Sequence, residues 1–238
     1  MDTPRTARER AREEITAEIL TAARRQLATT APAQLSLRAV AREVGMVSSA
    51  VYRYVPSRDA LLTALLVQAY DELGAAAEAA DDEVADRADV HERWMRTCRA
   101  TRAWAVAHPH EYALLYGSPV TGYAAPPDTV APATRVVIRL VTIVMAAHEA
   151  GAPPPAPPTG APAGFADSYA GAAAAIRVHG GPATSAPAEL VGRTLMAWSS
   201  IFGTISFELW GHLVGSVDDH EAYFDGVAAR LWHDLGGR

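Results

Sequence analysis

An all-α fold, with a three-helix helix-turn-helix head joined by a fourth helix to a helical body, is predicted by three observations. Apolar residues recur at three- and four-residue spacing along most of the chain. Ala41, Gly45 and Val51 stand at the separations a helix-turn-helix needs: a small residue where two helices cross, one that accepts positive φ in the turn, and an apolar plug between the helices. Ser48, Ser49, Tyr52, Arg53 and Tyr54 are then left facing outward on a short helix, a hydrogen-bonding set of the kind that lies in a DNA major groove.

The chain has 238 residues, half of them apolar, enough for one large or two smaller domains with a real core. Its 21 basic residues are all arginine. A net charge of −6 argues against a protein coated all over with nucleic acid, but the charge is uneven. Residues 1–60 hold ten arginines against seven acids, a surplus of +3, and the remainder carries −9. A mildly basic head on an acidic body fits local DNA contact. The single cysteine, Cys98, permits no internal disulfide, and no apolar signal segment opens the chain, so a cytoplasmic protein with no membrane association is expected. The most apolar long run, Ala197 to Gly215, contains Glu208 and His212 and reads as a buried helix.

The head is assigned to residues 1–60 and the ligand-binding and dimerisation body to 61–238. Arg5, Arg8, Arg10 and Arg12 precede or open the first helix, either as an arm reaching phosphates and a minor groove or as a solvated tail. Ile15, Ile19, Ala22, Ala23 and Leu27 then form an inward stripe, and Pro32 lies in the break. Ser36 reads as the N-cap of the second helix, beside Arg38, both candidates for DNA contact; Leu37, Val40, Ala41 and Val44 face inward and Gly45 ends the helix. The third helix begins near Ser48, whose hydroxyl either caps it or meets a phosphate. Arg53 is shaped for a bidentate contact to guanine and equally suited to a phosphate. Pro56 stops this helix, and Ser57 caps the fourth with Asp59 in its first turn.

The run V-S-S-A-V-Y-R-Y-V-P-S-R-D-A-L-L closely resembles the recognition helix and fourth-helix start of the tetracycline-repressor (TetR) family of bacterial regulators. The resemblance is strong over residues 8–66 and is one of helical layout beyond. It implies that Ser49 and Arg53 meet base edges, that Tyr52 and Tyr54 grip the backbone through their hydroxyls, and that Arg58 binds a phosphate. Val55 stands where the family usually has Phe.

In the body, the fourth helix is expected to continue to about Ala80, and the acidic run from Glu78 to Asp89 to be a loop. A helix from Val90 to Ala107, a short one after Pro109, and an apolar one from Val136 to Ala150 follow. Residues 151–164 form a Pro-rich linker, and a weak helix covers Phe165 to Val178. Pro187 to Val214 reads as the longest helix and Asp218 to Leu235 as the last. Two consecutive helices with this much apolar surface call for a second copy, giving a homodimer through a four-helix bundle, as in the TetR family. W-S-S-I-F-G resembles the Trp-x-x-x-His-Gly element of one C-terminal domain type in the family, with Phe202 in place of His.

The body helices are expected to enclose an apolar effector pocket lined by Trp94, Cys98, Tyr112, Tyr116, Val144, Met145, His148, Trp198 and Phe202; most of these, taken singly, read as core residues, and three or four of the set are expected to touch a ligand if one exists. Glu208 and His212, at i and i+4, suggest a structural hydrogen bond at the dimer seam. His108, His110 and Glu111 straddle a proline break and lack metal-ligand spacing, so no metal and no cofactor is expected. No phosphate loop or nucleophile elbow supports catalysis. The expected function is a regulator, foremost a repressor, that binds a near-palindromic double-stranded DNA operator as a dimer and is released by a small apolar or aromatic effector. An activator, a regulator without a ligand, and a helical small-molecule enzyme are the alternatives.

Overall fold

The computed structural model describes residues 6–153, 164, 166–178 and 187–237, and among them every regular element is helical. The helices are α1 (Ala7–Leu27), α2 (Leu37–Glu43), α3 (Ser48–Val51), α4 (Arg58–Asp82), α5 (Val90–Ala107), α6 (Pro109–Tyr116), α7 (Val130–Glu149), α8 (Ala170–Val178), α9 (Ala188–Leu209) and α10 (His220–Asp234). Arg5, most of the Pro-rich linker and Phe165 lie outside the described residues.

Contacts divide the chain into two units, Met1–Tyr70 with His108–Val130, and Asp71–Ala107 with Ala131–Arg238. In the first unit, Ile19, Ala22 and Ala23 of α1 meet Val40 and Ala41 of α2, Val51 of α3, and Leu61, Leu62 and Leu65 of α4 in one core. Leu114, Val120 and Tyr123 pack on its edge. α6 is fastened to this core twice more: Arg24 Nε donates to Glu111 at 2.9 Å, and the Tyr116 ring meets Tyr70 edge-on at 6.1 Å. The association of residues 108–130 with the head has no counterpart in the local sequence pattern.

The second unit is organised around the last three turns of α4. Asp81 is fully buried and accepts from Arg93 at 2.7 and 3.2 Å, from Arg87 at 3.1 Å and from Arg139 at 3.0 Å. Arg135 of α7 lies against Gly74, where a Cβ would come within 2.8 Å of its side chain, and reaches Asp71 and Glu78 at 2.9 and 2.6 Å. These ion pairs explain why α4 runs through Asp82 and absorbs the first part of the acidic run expected to be a loop. Burial pushes the Asp81 carboxyl up, but the hydrogen bonds and charges of Arg93 and Arg87 outweigh it and hold the group below the usual aspartate range.

Two other boundaries differ from expectation. α9 stops at Leu209, so α4 and not the Pro187 helix is the longest. Gly211, at φ 76, ends it: the Gly211 N–H donates to Glu208 and the His212 N–H to Phe207, a Schellman closure. α7 begins six residues early, at Val130, and Pro127–Glu149 exceeds the Ala197 run as an apolar stretch of membrane-spanning length. It contains Arg135 and Arg139, both paired to α4 carboxylates, and buries Leu140, Ile143 and Val144, as a packed helix does.

Candidate nucleic-acid interface

The turn between α2 and α3 is built as the spacing requires. Ser36 caps α2 by accepting from the Ala39 N–H, and Gly45, at φ 68, closes the helix while the Met46 N–H donates to Ala41. Ala41 and Val51 are both buried between the helices. α3 starts at Ser48 with Val47 as its N-cap, so Ser48 does not cap it: its hydroxyl sits one position inside the helix. Helical hydrogen bonding continues past Val51, with the Tyr54 and Val55 N–H groups both donating to the Val51 carbonyl. Ser57 caps α4 by accepting from the Ala60 N–H at 3.0 Å.

Among the expected contact residues, Arg38, Ser49, Tyr52 and Arg53 are exposed, and Ser36, Ser48, Tyr54 and Arg58 are half-buried. Two arginines have intramolecular roles that the sequence did not indicate. Arg12, on the second turn of α1, donates to the Arg53 carbonyl at 3.1 Å and lies over the Tyr54 ring at 5.4 Å, so it holds the far end of the recognition segment. Arg58 donates to the Pro32 carbonyl at 3.0 Å, which ties the start of α4 to the α1–α2 connection.

Charge pairing separates the two units. Arg87, Arg93, Arg96, Arg99, Arg102, Arg135, Arg139, Arg193 and Arg230 in the second unit all have a carboxylate partner. In the first, Arg24 and Arg25 pair with Glu111 and Glu43, and Arg58 has a long contact to Asp59 at 3.6 Å. Among the described residues, Arg8, Arg10, Arg12, Arg38, Arg42 and Arg53 have no carboxylate within reach. Guanidinium groups whose charge no carboxylate neutralises are what a polyanion needs.

Of the expected effector residues, Tyr112 and Tyr116 belong to the first unit, ring to ring at 5.1 Å, and burial pushes the Tyr116 hydroxyl well up from the ordinary tyrosine range. The others belong to the second. Trp94 is fully buried, donates to the Ala228 carbonyl at 2.9 Å and meets Trp232 at 5.7 Å. Trp198 meets Phe202 at 5.7 Å along α9. Cys98, Val144 and Met145 are buried, and burial pushes the Cys98 thiol far up, which makes it inert. The half-buried His148 faces the Ala152 carbonyl at 3.2 Å. A depression of about 460 Å³ lies along α1, lined by residues such as Glu9, Arg12, Thr16 and Leu20. Glu208 and His212 are not paired: α9 has ended before His212, Glu208 is held by Arg102 of α5 at 2.6 and 2.8 Å, and the His212 ring packs on Phe207. Among the described residues no three His, Cys, Asp or Glu side chains gather as metal ligands.

A helix-turn-helix with a buried core, an exposed polar recognition segment and arginines that lack carboxylate partners defines a DNA-binding regulator. Residues 19–65 match the tetR family of bacterial regulatory proteins, and residues 94–231 match the tetracyclin repressor-like, C-terminal domain. The chain belongs to the TetR family. It is 57% identical over 129 residues to the HTH-type transcriptional regulators Rv1816 of Mycobacterium tuberculosis (strain ATCC 25618 / H37Rv) and Mb1846 of Mycobacterium bovis. That stretch is 53% of this chain and 54% of theirs, so the chain spans about half the length of the curated relatives it matches. The crystal structure of SCO4313 is 31% identical and covers 97% of this chain and 100% of its own, with a TM-score of 0.74. The TetR family transcriptional regulator PfmR from Thermus thermophilus shares the fold, with a TM-score of 0.56 at 18% identity over 92% of this chain and 97% of its own. Rv1816 and Mb1846 are both HTH-type transcriptional regulators.

Proposed function

We propose that the protein is a repressor that binds a near-palindromic operator as a homodimer and is released by a small apolar or aromatic effector. The observation that carries the DNA-binding half is the partition of arginines among the described residues: Arg38, Arg42 and Arg53 around α2 and α3 have no carboxylate partner, and those described in the second unit are paired. Arg38, Arg42 and Arg53 supply phosphate or guanine contacts, with Ser49, Tyr52 and Tyr54 beside them. The head is residues 1–60 in this reading and residues 61–238 serve ligand binding and dimerisation.

Dimerisation is supported by the outer faces of α9 and α10. Met196, Ser199, Ser200 and Phe207 are exposed on α9 and Tyr223 and Gly226 on α10. A Cβ added at Gly203 or Gly226 meets nothing within 4 Å, so both helix backbones are open to close approach by a second copy.

Release is supported by α4, one unbroken helix whose first turns belong to the head core and whose last turns carry Asp71, Glu78 and Asp81. An effector that favours one placement of those carboxylates biases the other end, with a coupling of about 1–3 kcal/mol. The test is light scattering of the free protein, then anisotropy on duplex from the promoter of its own gene, with and without candidate hydrophobic compounds. A dimer that releases DNA about 5- to 150-fold more readily with a bound compound supports the reading. Tight compound binding with unchanged operator affinity overturns the release mechanism.

A further inference from the structure

We infer that Val47 is a specificity-determining residue that reads a thymine methyl group in the operator, an inference resting on the proposed DNA-binding function. Val47 is the N-cap of α3, at φ −68 and ψ 141, and makes no capping hydrogen bond. Ser, Thr, Asp and Asn are favoured there because their side chains accept an otherwise unpaired N–H. The neighbouring helices obey that rule: Thr6 accepts from Glu9, Ser36 from Ala39 and Ser57 from Ala60. Only α3 among these four replaces the hydroxyl with a branched hydrocarbon.

Packing does not account for the choice. Val47 is 69% exposed, whereas Val51, one turn on, is fully buried in the head core. Isolated apolar side chains on a surface are ordinary, but this one precedes Ser48 and Ser49 at the N-terminal end of the recognition helix, the part that reaches base edges when such a helix docks. The major groove offers one apolar group, the C5-methyl of thymine. A valine at this position buries its methyls against that group and gains nothing from cytosine or a purine, so it selects thymine without a hydrogen bond.

The test uses the purified full chain and the duplex that it enriches from random-sequence DNA. Each thymine of that duplex is replaced in turn by deoxyuridine, which deletes the methyl alone. One thymine per half-site is expected at which the deletion weakens binding about fourfold, the effect of burying one methyl-sized group. Val47→Ala and Val47→Ser should bind both duplexes alike. Val47→Ser restores a capping hydroxyl and should unfold at the wild-type temperature or higher, which separates lost reading from lost folding. If an enriched duplex exists and no deoxyuridine position affects the wild type more than the Val47 variants, the inference fails and DNA binding stands. If no duplex is enriched, both fail together.

Discussion

The two units of the molecule put the same side chain to opposite uses. In the second, arginines are structural: Asp81 alone gathers three guanidinium groups, and Arg99 and Arg102 carry α10 and α9 to α5 through Asp225 and Glu208. In the first, most lack carboxylates, and two of them, Arg12 and Arg58, hold backbone carbonyls next to the recognition segment. The difference follows from the uneven charge. The acid-rich body can neutralise every described guanidinium, while the head keeps a surplus for an external anion. A protein whose only cation is arginine can build both, because the planar fork suits a buried carboxylate as well as it suits phosphate or guanine.

The sharpest way to break this comparison is Asp81→Ala. It leaves Arg93, 5% exposed, without its counter-ion, and should cost about 3–5 kcal/mol in chemical denaturation. The corresponding pH profile has a definite sign. Because the native Asp81 group sits below its unfolded value, its contribution is fully present above about pH 4 and is lost as pH falls through the lower native value. Wild type should therefore lose stability on acidification in that range and Asp81→Ala should lose less.

Arg53→Ala and Arg38→Ala should do the reverse, leaving stability within about 0.5 kcal/mol because both side chains are exposed and unpaired. Operator affinity should fall, by about 1–3 kcal/mol at a single operator position where a base is read. Where a phosphate is bound, the dependence of log affinity on log salt should flatten by about 0.9. Arg12→Ala is the intermediate case: it should weaken operator binding and speed amide exchange at Tyr54 and Val55, with the salt slope unchanged if its task is to position α3. A flattened slope would instead assign Arg12 to a phosphate. The smallest effect is expected at Arg230→Ala, whose exposed i,i+4 pair with Asp234 contributes about 0.5 kcal/mol or less to thermal stability.

Much of the head was legible without coordinates because its signals are local. Gly45 has to be glycine-like where φ is positive, Ser36 and Ser57 stand where a hydroxyl satisfies an N–H three residues on, and Ala41 and Val51 repeat at helical spacing. The sequence leaves the Ser48 hydroxyl two roles, capping α3 or meeting a phosphate, and the structure removes only the first. A serine at a helix start reads as a cap, and nothing local shows that the chain turns one residue earlier, at Val47. The expected effector residues were chosen for aromatic or apolar character on helix faces, a criterion that ordinary core residues satisfy equally. The ring contacts Trp94–Trp232, Trp198–Phe202 and Tyr112–Tyr116 are properties of packing that no local pattern marks.

The sequence by itself determined the helical class, the helix-turn-helix, the order of the elements and the basic head on an acidic body, because spacing, capping and charge act over three or four residues or simply add along the chain. Tertiary structure alone decided that residues 108–130 pack with the head, that α4 continues through its acidic end, and which arginines are free. Those outcomes rest on partners 57, 106 and 126 residues apart, such as Arg135 with Glu78, Arg102 with Glu208 and Arg99 with Asp225. A guanidinium carries no local mark of the carboxylate it will meet, and only the folded backbone brings the two within reach.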